Sequence, residues 1–204
     1  MSKFDEMILV VNREQLFNNE AYAFNGFLSQ KDDLFNKITA SLKDFEVKRR
    51  GDMEEDESFK QLVSYTIVES DDEILVYKRL TGGGESRLHG LNSIGVGGHM
   101  NDIESESDIK EKMFENAARE LEEEIAMSKS DLKDFELIGL INDDNNAVGR
   151  VHIGLVFKVE VDKDKVYSNE EDTLELIWSK ENKLTDLGDY ESWSELIIRD
   201  LYER

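Results

Sequence analysis

The chain has 204 residues and 23.5 kDa, with 25 basic side chains against 47 acidic ones, a formal charge of −22 and a sequence pI near 4.5. It has no cysteine, which excludes a disulfide scaffold, a thiolate metal site and thiol catalysis. The acid excess argues against a nucleic-acid polymer as partner, because duplex DNA needs Lys and Arg to displace its counterions, while 39% hydrophobic residues suffice for a core.

Taken in chain order, residues 1–60 suggest one strand (7–11) and one helix (32–42), and 1–57 read as an N-terminal extension packed on a main domain of residues 58–204. The apolar run 8–11 ends at Asn12, too short for a signal core. No stretch approaches the roughly 20 apolar residues of a spanning helix, so the expectation is a cytoplasmic protein away from membranes. Residues 62–69 and 73–79, rich in β-branched and aromatic side chains, predict two strands joined by the acidic turn Ser70-Asp71-Asp72. Without proline, the breaks fall to glycine, Asn and Asp, at Thr81-Gly82-Gly83-Gly84, at Gly97-Gly98 and at Asn142-Asp143-Asp144-Asn145-Asn146. Residues 108–127 predict a helix, since Phe114, Ala117, Ala118, Leu121 and Ile125 share one arc at about 100° per residue. Residues 135–141 and 150–161 predict a second strand pair, 174–178 a short strand and 193–202 a closing helix. This alternation points to an α/β (α+β) domain, a mixed sheet flanked by helices.

The chemically informative segment is Arg119-Glu120-Leu121-Glu122-Glu123-Glu124-Ile125. Glu120 is an i,i+3 neighbour of Glu123 and an i,i+4 neighbour of Glu124, so three like charges share one helix face at a small cost to the isolated helix. Such a group suits a hard cation, Mg²⁺ or Mn²⁺, completed by water and phosphate. Taken alone, an acidic run is more often a solvated face. Arg119 can pair with Glu115 or Glu123 and hold a carboxylate in place.

The context changes that balance. Ser93-Ile94-Gly95-Val96-Gly97-Gly98-His99 leads toward the helix, and Glu111, eight residues before Arg119, gives E-x7-R-E-U with Glu120, Leu121, Glu123 and Glu124 in register. This resembles the Nudix hydrolases, whose signature runs G-x5-E-x7-R-E-U-x-E-E-x-G-U with U a bulky aliphatic. Ala126 replaces the final glycine and Met127 the last U. The distance from Gly98 to Glu111 is seven residues longer than in the family, so an insertion is required, and Glu104 is the alternative to Glu111 as first glutamate. The resemblance runs from about residue 58 to 193 and includes Gly84-Glu85-Ser86-Arg87-Leu88-His89-Gly90 and Gly149-Arg150-Val151-His152. Within the family it is closest to an uncharacterised bacterial branch of predicted phosphoesterases.

The resemblance implies a Nudix-type α/β/α sandwich and Mg²⁺-dependent pyrophosphohydrolase activity, with water attacking phosphorus in a small nucleoside-diphosphate-type substrate. It implies Glu120, Glu123 and Glu124 as metal ligands, Glu111 as an auxiliary one and Arg119 as the group that orients them. The general base is open among Glu123, Glu170 and Glu171. Arg79, Arg87, Arg150, Gly97 and Gly98 are the candidate substrate contacts; an ion pair with the abundant acids is the competing role for each arginine. Lys48, Arg49 and Arg50 form a basic cluster that could lie over the site from the extension. His89, His99 and His152 show no metal-ligand spacing, and Trp178 and Trp193 suit helix packing. A Nudix-fold module that binds a nucleotide or ADP-ribose without turnover is the competing reading, and a homodimer through the extension is compatible with the sequence.

Overall fold

A computed structural model describes residues 2–80, 90–103, 108–169 and 174–203, with the side chain of Arg79 outside the description. Its strands are β1 (Met7–Asn12), β2 (Gly26–Ser29), β3 (Glu46–Arg49), β4 (Phe59–Ser70), β5 (Glu73–Arg79), β6 (Asn92–Ser93), β7 (Gly95–Val96), β8 (Lys133–Asn142), β9 (His152–Glu160) and β10 (Leu174–Lys180). Its helices are α1 (Arg13–Leu16), α2 (Asp33–Thr39), α3 (Arg50–Met53), α4 (Ile109–Ile125), α5 (Ala147–Val151) and α6 (Ser192–Leu201).

All the strands join one sheet, whose main path runs β10-β5-β4-β9-β8-β2. The β4–β9 pair is parallel and the other pairs are antiparallel, so the sheet is mixed. Alternation along β4 separates two cores. Leu62 and Val68 face α4 with Met113, Ala117, Leu121 and Ile125, whereas Tyr65 and Ile67 face α6 with Ile197 and Ile198. The result is the expected α/β/α sandwich.

The N-terminal residues enter the same sheet. Strand β1 pairs with β3 and β4, β2 pairs with β8, and Ile8, Leu9, Val10 and Val11 are fully buried. Residues 150–151, expected at the start of a strand over 150–161, fall in a helical turn over 147–151 instead. Asn146 accepts from the Gly149 N–H and starts the turn, so β9 begins at His152.

Helix α4 has both ends specified locally. Asp108 accepts from the Lys110 N–H at its start. At its end Ala126 adopts φ 57°, ψ 24°, and the N–H groups of Ala126 and Met127 bond to Glu122 and Leu121 carbonyls. This is the left-handed termination that a glycine usually provides, here imposed on an alanine. Among the described residues no helix is long and apolar enough to cross a membrane.

Candidate active site

The loop before α4 is held flat against the sheet. The Ser64 N–H bonds to Gly98 O at 2.9 Å and the Met100 N–H to Leu62 O, also at 2.9 Å. A Cβ at residue 97 would stand 2.0 Å from Ser64 O, so only glycine allows this approach. At residue 98 a Cβ would stand 2.7 Å from Oε2 of Glu120. The glycine pair thus lets the loop touch both β4 and the first motif carboxylate.

Helix α4 brings Arg119, Glu120 and Glu123 together. Arg119 Nη2 lies 2.7 Å from Glu120 Oε1 and Nη1 lies 3.0 Å from Glu123 Oε2, so one guanidinium serves both carboxylates. Glu120 is buried, and its desolvation raises its pKa above the usual carboxylate value against the opposing charge of Arg119; Glu123 adds to the rise. Glu123 is exposed and Glu124 half-buried, one turn beyond Glu120. Among the described residues no three acidic or imidazole side chains already converge on one point.

Glu111 is not brought to this group. Nine residues separate it from Glu120, about 13.5 Å along the axis and about half a turn around it. It sits in the first turn of α4, three residues after the cap Asp108, a position that commonly closes a capping box. Its alternative, Glu104, lies outside the described residues, as do Arg87, His89, Glu170 and Glu171. Arg79 pairs through its backbone with Leu174. Arg150 lies in α5 and pairs with Glu57 at 2.7 Å, the ion-pair alternative that its residue type allowed.

Several contributors carried no sequence signal. Asn101 and Asn116 each accept from Arg119 Nη2, at 3.1 and 3.3 Å, and His99 O accepts from it at 3.2 Å. Asn169 donates from its side chain to the carbonyls of Glu122 and Glu123 and from its backbone to Glu124 O. That ties Asn169 to the C-terminal turn of α4. Capping asparagines are common, but which distant carbonyls they meet is a tertiary matter.

His99 and His152, unrelated in sequence, meet on the face of the sheet opposite α4. Their Nε2 atoms lie 3.0 Å apart, and His99 Nε2 is also 2.8 Å from Gln61 Oε1. His152 Nδ1 donates to Val148 O at 2.7 Å, which leaves its Nε2 to accept. The cluster Lys48, Arg49, Arg50 is engaged in ion pairs, Lys48 with Glu46, Arg49 with Asp5 and Asp52, and Arg50 with Glu6 and Glu54. Trp193 packs edge-on against Tyr65 at 5.7 Å and over Gly154.

No protein-family model matches the chain. Protein YmaB of Bacillus subtilis strain 168 is 40% identical over 205 residues, which cover 97% of this chain and 98% of that protein. The crystal structure of Tm1382, a candidate Nudix hydrolase, is 30% identical, covers 97% of this chain and 99% of its own, and superposes with a TM-score of 0.77. A MutT NUDIX hydrolase from Burkholderia pseudomallei shares the fold at 17% identity, over 70% of this chain and 98% of its own, with a TM-score of 0.53. The full-length match to Tm1382 agrees with the R-E-L-x-E-E run laid against its glycine pair: the chain belongs to the Nudix hydrolase family.

Proposed function

We propose that this protein hydrolyses a diphosphate linkage in a small nucleoside-diphosphate-type substrate, water attacking phosphorus, with Mg²⁺ or Mn²⁺ as cofactor. The observation that supports this most is the single Arg119 guanidinium shared by Glu120 and Glu123 beside Gly98, whose missing Cβ leaves the space that the Glu120 carboxylate needs. An all-oxygen donor set of Glu120, Glu123 and Glu124 fits a hard divalent cation. When bound, such a cation supplies charge neutralisation to the diphosphate and acidifies water at neutral pH.

The chain's own residues supply the rest. Arg119 keeps two carboxylates facing one region instead of repelling each other apart. Glu120, desolvated against the loop, is poorly stabilised as a lone anion and gains from a cation nearby. Glu123, exposed and one turn along, is the base candidate within the described residues; Glu170 and Glu171 remain the alternatives. Arg79 and Arg87 are the proposed phosphate contacts, whereas Arg150 serves Glu57. With a charge of −22, the protein needs cations at the pocket to admit an anionic substrate. The reading places this chemistry in the cytoplasm.

The test is product release from a panel of nucleoside diphosphate derivatives with Mg²⁺, for wild type and Glu123→Gln. Turnover that falls by orders of magnitude in the variant is the expected result. Tight binding of a nucleotide or ADP-ribose without turnover would overturn it in favour of a sensor module.

A further inference from the structure

The guanidinium of Arg119 has more acceptors than two carboxylates require. Besides Glu120 and Glu123, its Nη2 faces Asn101 Oδ1, Asn116 Oδ1 and His99 O, all within 3.3 Å. Asn116 is fully buried and uses both ends of its amide. Its Oδ1 also accepts from the Asn101 N–H at 2.9 Å, while its Nδ2 donates to Asn101 O and Lys112 O, each at 2.9 Å. This pattern fixes the amide orientation, because a flipped amide would set NH₂ against a guanidinium and an N–H. Asn101 in turn donates from Nδ2 to Met7 O of β1 at 3.0 Å, and the Leu9 N–H bonds to Met100 O at 2.8 Å. The N-terminal strand therefore buttresses the loop that holds Arg119.

The residue type matters. An aspartate at either position would compete with Glu120 and Glu123 for the guanidinium and add charge beside them. An apolar residue would leave Arg119 to follow whichever carboxylate moved. Neutral amides hold the cation without drawing it away. We propose that Asn101 and Asn116 are positioning residues, a neutral clamp braced by β1 that fixes Arg119 and so presets Glu120 and Glu123 for a divalent cation. This rests on the metal-dependent reading above. Groups bonded directly to metal ligands, as Arg119 is to Glu120 and Glu123, change metal affinity by about 10–100-fold when lost; the two asparagines act through Arg119, one step further out.

The experiment titrates the full-length protein with Mn²⁺ alone, reading free Mn²⁺ by electron paramagnetic resonance, for wild type, Asn101→Ala, Asn116→Ala, Glu123→Gln and Asn101→Ala/Glu123→Gln. Urea unfolding of each reports the fold. We expect Mn²⁺ binding weakened by about three- to tenfold in both asparagine variants, the lower edge of the loss for groups bonded directly to the ligands because they act through Arg119, and less than additive loss in the double variant. Asn101 is half-buried, so its variant keeps the test open if Asn116→Ala fails to fold. Unchanged affinity in folded Asn101→Ala, or strictly additive losses, would overturn the clamp while leaving the hydrolase reading intact. Wild-type binding that is absent, or indifferent to Glu123→Gln, would overturn that reading and the clamp with it.

Discussion

Gly98 and Glu120 face each other so closely that a single methyl group on the glycine would lie 2.7 Å from Glu120 Oε2. That is shorter than real Cβ contacts, and the group obliged to yield is the carboxylate paired with Arg119. Gly98→Ala should therefore lower kcat/KM and Mn²⁺ affinity by about tenfold or more while shifting stability by under about 1 kcal/mol, since the obstacle is a side-chain end. Gly97→Ala should do the opposite, because its Cβ would meet the backbone oxygen of Ser64; about 1–3 kcal/mol of stability should be lost. Kinetics and urea unfolding of the two variants, measured side by side, check this contrast.

The end of α4 stores a small strain. Ala126 sits at φ 57° where its Cβ crowds the following carbonyl. Ala126→Gly should raise stability by about 0.5–1 kcal/mol, the strain relief exceeding the entropy cost of glycine. A higher urea midpoint at unchanged slope is the expected reading; a lower midpoint would show that the cap is not strained.

The His99–His152 pair should make the fold acid-sensitive. Burial holds the pKa of His99 down to about 2, with the neighbouring imidazole and the cations Arg50 and Lys3 adding to the effect. Burial also lowers His152, aided by Arg50 and Lys60 and opposed by its bond to Val148 and by Glu54. A histidine whose folded pKa lies below its unfolded value loses stability as pH falls, because the unfolded chain takes up the proton first. The loss begins near pH 6.5 and is at most about 1.4 kcal/mol per pH unit for each proton. Urea unfolding at pH 7.5 and 5.0 should show a smaller pH difference for His99→Gln than for wild type; an equal difference would remove the pair as its source.

A buried lysine tests a different balance. Lys60 is fully buried, bonded to Asp144 and to Gly149 O at 2.7 Å each, and desolvation lowers its pKa to about 8. Asp144 also serves Arg13, and these two cations outweigh its own partial burial to hold its pKa at about 2. Asp144→Ala strands Lys60 and should cost about 3 kcal/mol or more, the range for a broken buried pair. Lys60→Met in the same chain should recover most of that loss, whereas additive losses would place the cost in Arg13.

Local patterning carried much of this protein. The 3.6-residue arc defined α4 to within two residues at each end, because helix bounds depend on neighbours in sequence. The hairpin of β4 and β5 was legible for the same reason, as its two-residue turn places Asp71 at φ 54°. Strand β2 was not, since four residues show no period and its partner β8 lies over 100 residues away. The metal reading likewise began in the i,i+3 and i,i+4 spacing of Glu120, Glu123 and Glu124.

What spacing could not supply was orientation. The sequence alone determined that three carboxylates ride one helix beside a glycine pair, and that −8 of the charge of −22 falls between residues 101 and 136, with 13 acids against 5 bases. Only the tertiary structure decided that Glu120 is buried against Gly98 and that Arg119 is gripped by Asn101 and Asn116. It alone showed that β1 braces the grip and that two distant histidines share a contact. Those are long-range hydrogen bonds and steric approaches, fixed by sheet register and not by any neighbour in the chain.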